Sequence, residues 1–192
     1  MKRIHECCTK VKTNISKVII GKEDVVDHLL VSLITSGHVL LEDVPGLGKT
    51  LLSKSFAQSI DSSFSRIQFT PDLLPSDITG INFFNQGISE FQFRKGPLFN
   101  NIILADEINR ATPRTQSSLL EAMEEVQVSV DGTTYPLDPP FMVIATQNPI
   151  EQQGTFPLPE AQMDRFLLKI SMGHPTIEEE MQILNRFRSK NP

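Results

Sequence analysis

The sequence predicts an α/β fold: a central parallel five-stranded sheet covered by helices, with two β-hairpin inserts. Three observations carry this reading. Short apolar runs at Val39–Leu41, Ile102–Ala105 and Phe141–Ala145 have the composition of strands buried on both faces. Between them lie segments with apolar residues at three- and four-residue spacing, the alternation of βα units. The first run breaks into Gly46-Leu47-Gly48-Lys49-Thr50 and then into a helix-forming stretch, Leu51 to Ile60.

Bulk properties narrow the class. The 192 residues suffice for one sizeable domain, and 39% apolar with 21% charged residues is ordinary for a soluble globular chain. A net charge of −5 argues against a general nucleic-acid binder. No apolar run approaches the ~18 residues of a membrane span, and Met1-Lys2-Arg3 leads into no signal core. The only two cysteines, Cys7 and Cys8, are adjacent, which disfavours a bridge between them and points to a reduced, cytoplasmic chain. His5, His28, His38 and His174 lack ligand spacing and read as structural or surface residues.

In chain order, residues 4–18 read as an amphipathic helix. Val18-Ile19-Ile20-Gly21-Lys22 is a short apolar stretch that reads as a helix-connecting loop. Glu23-Asp24 then opens a helix with Val25, Val26, Leu29, Leu30, Leu33 and Ile34 on one face, stopped by Ser36-Gly37.

The strand at 39–41 leads into a turn that can cradle phosphate. Gly46 and Gly48 let backbone N–H groups approach an anion, and the helix start adds unpaired N–H groups and the positive dipole end. Lys49 supplies a point charge for β/γ-phosphates, and the Thr50 hydroxyl is a ligand for Mg²⁺. Asp43 stands where the usual phosphate-loop pattern has its first glycine, and its carboxylate should face away from the phosphates. The same residues also fit a plain glycine turn before a helix.

Ser65–Phe69 alternates as a strand, and Thr70-Pro71-Asp72 reads as the cap of a short helix. Residues 81–95 form a hairpin turning at Asn85-Gln86-Gly87, either packed on the core or projecting toward a partner. The next strand ends in Asp106-Glu107, at the carboxyl edge where ligands bind in open α/β sheets. Asp106 is placed to hold Mg²⁺ through water, and Glu107 to deprotonate an attacking water. Neighbouring strand residues point to opposite sides, so the two acids are expected to divide these tasks.

Thr112-Pro113 starts a helix as N-cap and first residue. Residues 126–137 make a second hairpin, turning at Asp131-Gly132. The strand from Phe141 ends at Gln147-Asn148-Pro149, where Asn148 either orients the attacking water or simply forms an Asn-Pro turn. A short helix at 159–166, a strand at Leu167–Ser171 and a helix opening at Thr176 complete the pattern.

Five motifs in order make the chain resemble the MoxR-type AAA+ ATPases, over nearly its whole length. They are Val18-Ile-Ile-Gly-Lys, His38-Val-Leu-Leu-Glu-Asp-Val-Pro-Gly-Leu-Gly-Lys-Thr, Leu104-Ala-Asp-Glu-Ile-Asn-Arg-Ala, Ala145-Thr-Gln-Asn-Pro and Leu158-Pro-Glu-Ala-Gln-Met-Asp-Arg-Phe. The resemblance implies a P-loop NTPase of three-layer form that binds ATP/ADP with Mg²⁺ through residues 45–51: Pro45, Gly46, Leu47, Gly48, Lys49, Thr50 and Leu51. It implies that Ile20 and Gly21 flank the adenine, overturning the loop reading, and it makes Asp43 a tolerated variant. It makes Asn148 the sensor-1 residue and Arg165 an arginine finger reaching a neighbouring subunit, with Arg110 and Arg114 at an interface or structural. The two hairpins would face the channel of a homo-oligomeric ring, a hexamer, formed when a C-terminal helical lid is present. Residues 1–175 would be the nucleotide-binding core and 176–192 a linker helix toward a helical lid carrying the sensor-2 arginine. Without that lid the 192-residue piece is expected to be largely monomeric and slow.

Two functions follow. One is an ATP-hydrolysing chaperone that remodels protein clients, in this family often von Willebrand A-domain proteins. The other is a nucleotide-gated binding module, for which the base Glu107 would be unnecessary. A GTPase is disfavoured, since no Asn-Lys-x-Asp guanine signature occurs.

Overall fold

The computed structural model describes residues 2–42, 44, 46–148 and 154–189. Five strands form one parallel sheet in the order β2-β5-β8-β1-β9: β1 (Val39–Glu42), β2 (Phe64–Gln68), β5 (Ile102–Asp106), β8 (Met142–Gln147) and β9 (Leu168–Ile170). Two antiparallel ribbons stand apart from it, β3 (Gly80–Asn85) with β4 (Glu90–Lys95), and β6 (Gln127–Val130) with β7 (Thr133–Pro136).

Alternate residues of the central strands enter two separate cores, which is why those strands are apolar throughout. Leu40, Ile103, Ala105, Val143 and Ala145 face one side, where Leu119, Leu120 and Met123 of α5 (Pro113–Glu125) and Ile78 of α4 (Pro75–Thr79) pack. Val39, Leu41, Ile102, Leu104, Met142 and Ile144 face the other, against α1 (Lys2–Ile15), α2 (Glu23–Ile34) and α3 (Lys49–Ser59), through Ile15, Val26, Leu29, Leu52 and Phe56. The result is three layers. Beyond the sheet, α6 (Glu160–Met163) precedes β9 and α7 (Ile177–Ser189) follows it.

Two local expectations shift. The turn at Thr70 closes with Leu73 N–H on its carbonyl, and helix α4 begins only at Pro75, where Asp77 Oδ2 accepts the N–H of Leu74 at 2.9 Å. Proline is suited to that first position, whereas Pro71 sits inside the preceding turn. The hairpin at 80–95 is packed at one end and exposed toward its tip. Phe93 stacks on Tyr135 of the second ribbon (4.1 Å, 14°), while Phe84 and Phe91 form an edge-to-face pair left 51% and 75% exposed.

His38 joins the layers. Its Nδ1 accepts the N–H of Val143 and its Nε2 meets the carbonyl of Met123, each at 3.0 Å, so the ring is neutral with its proton on Nε2. Burial lowers its pKa below the ordinary 6.5, partly opposed by the bond to Met123. A base with a lowered folded pKa contributes stability that is complete above the unfolded value. That contribution is lost as pH falls below 6.5 toward the lowered folded value. Denaturant unfolding across this range should show wild type losing stability on acidification, and His38→Gln losing less. His38→Ala, which strands both backbone partners, should cost about 2–4 kcal/mol at neutral pH.

Candidate functional site

The carboxyl edge of the sheet gathers the polar strand ends. In the register, Gln68 lies beside Asp106 and Glu42 beside Gln147. Above this edge, where β1 gives way to α3, is a cavity of about 420 Å³. On one side it is lined by Gly46, Gly48, Lys49, Thr50 and Leu51, and on the other by Asp106, Glu107 and Asn148, with Arg66 and Gln68 completing the wall.

Gly46 and Gly48 have φ of 91° and 80°, and a Cβ on either would meet nothing within 4 Å. Glycine is therefore required by the left-handed backbone, not by crowding. Gly48 caps α3, whose bonding begins with Leu52 N–H to the Gly48 carbonyl at 2.9 Å. The amides of Thr50 and Leu51 have no acceptor within the helix, leaving a donor-rich positive end at the cavity. Lys49 is held against it at 9% exposure.

The two acids are not opposed as neighbouring strand residues would be. β5 ends at Asp106, and Glu107 takes a left-handed conformation (φ 57°, ψ 49°) that starts a 3₁₀ turn, so both carboxylates line the same cavity. A non-glycine residue held there carries backbone strain of the kind found at functional sites. Thr146 fixes the pair: its hydroxyl donates to Asp106 Oδ1 at 2.7 Å and accepts the N–H of Glu107 at 2.9 Å. Asp106 Oδ2 receives Arg66 Nη2 at 2.7 Å and Nε at 3.1 Å. Glu107 Oε2 receives Gln68 Nε2 at 2.9 Å and Arg110 Nη1 at 3.1 Å.

The sequence reading missed Arg66, Gln68 and Thr146, and left Arg110 without a partner. The signal available for the first two was the polar alternation of β2, Arg66 and Gln68 against Ile67 and Phe69, which on an edge strand reads equally as a solvent face.

Asp43 and Pro45 fall outside the described residues. Leu47, Ile20 and Gly21 are absent from the cavity's lining. At Gly21 an added Cβ would stand 1.7 Å from Glu179 Oε1, so the close approach there is made by the first turn of α7. Arg165 lies away from the cavity: its Nε donates to Glu124 Oε2 of α5 at 2.8 Å, and Nη2 meets the same oxygen. Glu124 is thus its partner, in place of Glu160 or Asp164. Arg114 is exposed on the first turn of α5.

Chemically, a basic loop at a helix start facing two carboxylates, one fixed by Thr146 and one by Gln68 and Arg110, can hold a polyphosphate and activate a water beside it. The donors also suit a hard divalent cation, which prefers hydroxyl and carboxylate oxygens.

Comparison with known proteins agrees with this geometry. Residues 38–168 match the ATPase family associated with various cellular activities (AAA). The chain is 53% identical over 189 residues to YeaC of Bacillus subtilis (strain 168), covering 98% of this chain and 59% of that protein. It is 53% identical over 173 residues to Chaperone MoxR1 of Mycobacterium tuberculosis, covering 90% and 46%. A crystal structure of a candidate ATPase from Cytophaga hutchinsonii superposes with a TM-score of 0.89 at 49% identity, over 98% of this chain and 57% of that one. The chain thus spans about half the length of the relatives it matches. With its phosphate-type loop facing paired acids on a five-stranded parallel sheet, it belongs to the MoxR group of the AAA ATPase family.

Proposed function

We propose that the protein binds and hydrolyses ATP in a Mg²⁺-dependent manner and uses the cycle to remodel protein clients as a ring. The observation that carries this is the convergence of Lys49 and Thr50 with Asp106 and Glu107 on one cavity. Thr50 and Asp106 would hold Mg²⁺, which neutralises phosphate charge when bound. Lys49 balances the β/γ-phosphates, Glu107 accepts the proton of the attacking water, and Asn148 helps orient that water. Gln68 and Arg110 fix the Glu107 carboxylate from two directions. Arg165 would complete the site of a neighbouring subunit. Residues 20 and 21 remain the proposed adenine neighbours, and for them to serve so the side chain of Glu179 must give way.

The proposal extends to assembly and clients by family likeness. A homo-oligomeric ring, of hexameric size, acting in the cytoplasm on clients such as von Willebrand A-domain proteins, fits a chain whose relatives include a named chaperone. No helix among the described residues is long and apolar enough to cross a membrane. The two ribbons would face the ring's channel, with Phe84 and Phe91 exposed near the tip of the first. Residues 1–175 would form the core and 176–192 a helix toward a lid. In support, α7 exposes Ile177, Met181 and Leu184 along one face at i, i+4 and i+7. The gated binding module without hydrolysis is not favoured, because Glu107 is positioned by three separate groups.

Titration calorimetry tests the site directly. Wild type should bind Mg–ATP, and Lys49→Ala should lose detectable binding. Removing the buried cationic partner of a polyphosphate costs roughly 1.5–3 kcal/mol or more. Equal affinity in the two proteins would remove residues 46–51 as the phosphate site.

A further inference from the structure

We propose that Arg66 competes with the divalent cation for the carboxylate of Asp106, so that loading the metal requires Arg66 to let go. This rests on reading the cavity as a Mg²⁺–nucleotide site, and it concerns how that site is loaded.

The geometry is specific. Arg66 and Gln68 sit on the cavity face of β2, and the register sets Gln68 beside Asp106. Arg66 places two N–H groups on one oxygen of Asp106, Oδ2, at 2.7 and 3.1 Å. The other oxygen, Oδ1, is tied to the fully buried Thr146 hydroxyl, which also accepts the Glu107 amide. Oδ1 is therefore anchored, and Oδ2 is the oxygen left for a cation or its bound water. A guanidinium and a divalent cation cannot share it closely, since both are positive and each needs the same lone pairs.

Arg66 is also the mobile member of the pair. Its side chain is 46% exposed against 14% for Asp106, so the guanidinium can swing out while the carboxylate stays. Its departure changes the second acid. Arg66 Nη2 donates to Gln68 Oε1 at 2.7 Å, and Gln68 Nε2 donates to Glu107 Oε2 at 2.9 Å. The chain Asp106–Arg66–Gln68–Glu107 thus links the metal-holding acid to the base. Arg66 is a positioning residue on this reading, acting through Asp106.

The test follows binding of a fluorescent ATP analogue while free Mg²⁺ is varied. Arg66→Met removes the competitor, so half-maximal binding should need about 3- to 10-fold less Mg²⁺ than wild type, the effect of a half-exposed charge-assisted pair. Arg66→Lys, which keeps the charge but not the fork, should fall between. If circular dichroism shows Arg66→Met unfolded, Arg66→Lys decides alone: a lowered Mg²⁺ requirement supports the competition. A folded variant that binds nucleotide with an unchanged or raised Mg²⁺ requirement overturns it, leaving Arg66 a phosphate ligand or a strand-edge pair. If wild type binds no nucleotide at any Mg²⁺ concentration, the reading of the cavity fails and the competition fails with it.

Discussion

Where the chain assembles into rings, Arg165→Ala subunits are expected to lose ATP turnover by about 10³–10⁵-fold, the usual worth of an arginine finger. Lys49 and Arg66 already line the cavity of their own chain, whereas Arg165 lies apart from it, on the turn between α6 and β9. A planar guanidinium matches the charge that spreads over the γ-phosphoryl oxygens in the transition state. Within its own chain Arg165 is held by Glu124, and a role across subunits requires that pair to open. The pair is only partly shielded, with side chains 33% and 54% exposed, so opening it is cheap.

Two measurements separate this from a purely structural ion pair. Glu107→Gln subunits keep Arg165 but have a dead site; Arg165→Ala subunits keep a live site but no finger. Mixing them under ring-forming conditions should restore activity that neither has alone. Glu124→Ala should leave turnover near wild type if Arg165 acts across the interface, and should mimic Arg165→Ala if the pair itself matters. No recovery on mixing, together with an inactive Glu124→Ala, would assign Arg165 to its own subunit.

Glu107→Gln should retain nucleotide affinity while turnover falls by about 10²–10⁴-fold, the typical contribution of a general base. The substitution is clean for a structural reason. Both contacts to Oε2, from Gln68 and Arg110, are donors, so a glutamine amide oxygen can accept the same two bonds and keep the side chain in place. It cannot take the proton. Calorimetry showing affinity within a few-fold of wild type, alongside a turnover assay showing the loss, is the expected pair of results. Turnover within a few-fold of wild type would exclude Glu107 as the base.

What the sequence determined by itself is local or periodic. The strand–turn–helix from Val39 to Ser59 is legible because a continuous apolar run, two glycines and a Lys-Thr pair each constrain the backbone within a few residues. Asp106 could be placed because a strand's carboxyl end carries its polar residues to one edge of a parallel sheet. Thr112 and Pro113 take the N-cap and first helical positions that their residue types favour, although the Thr112 side chain makes no capping bond.

Only the tertiary structure decided which groups hold these residues. The bonds from Arg66 to Asp106 and from Gln68 to Glu107 depend on the register between β2 and β5, and Thr146 enters through the order β5-β8-β1. Sheet register is a global choice among strands far apart in the chain, and no local pattern encodes it. The left-handed turn at Glu107 belongs with these: glycine and, less often, Asn or Asp visit that region routinely, so a glutamate there is not foreseen from local preference. The contacts of Arg165 with Glu124 and of Gly21 with Glu179 likewise join segments that meet only when helices pack on the sheet, so sequence neighbours were the wrong place to look for them.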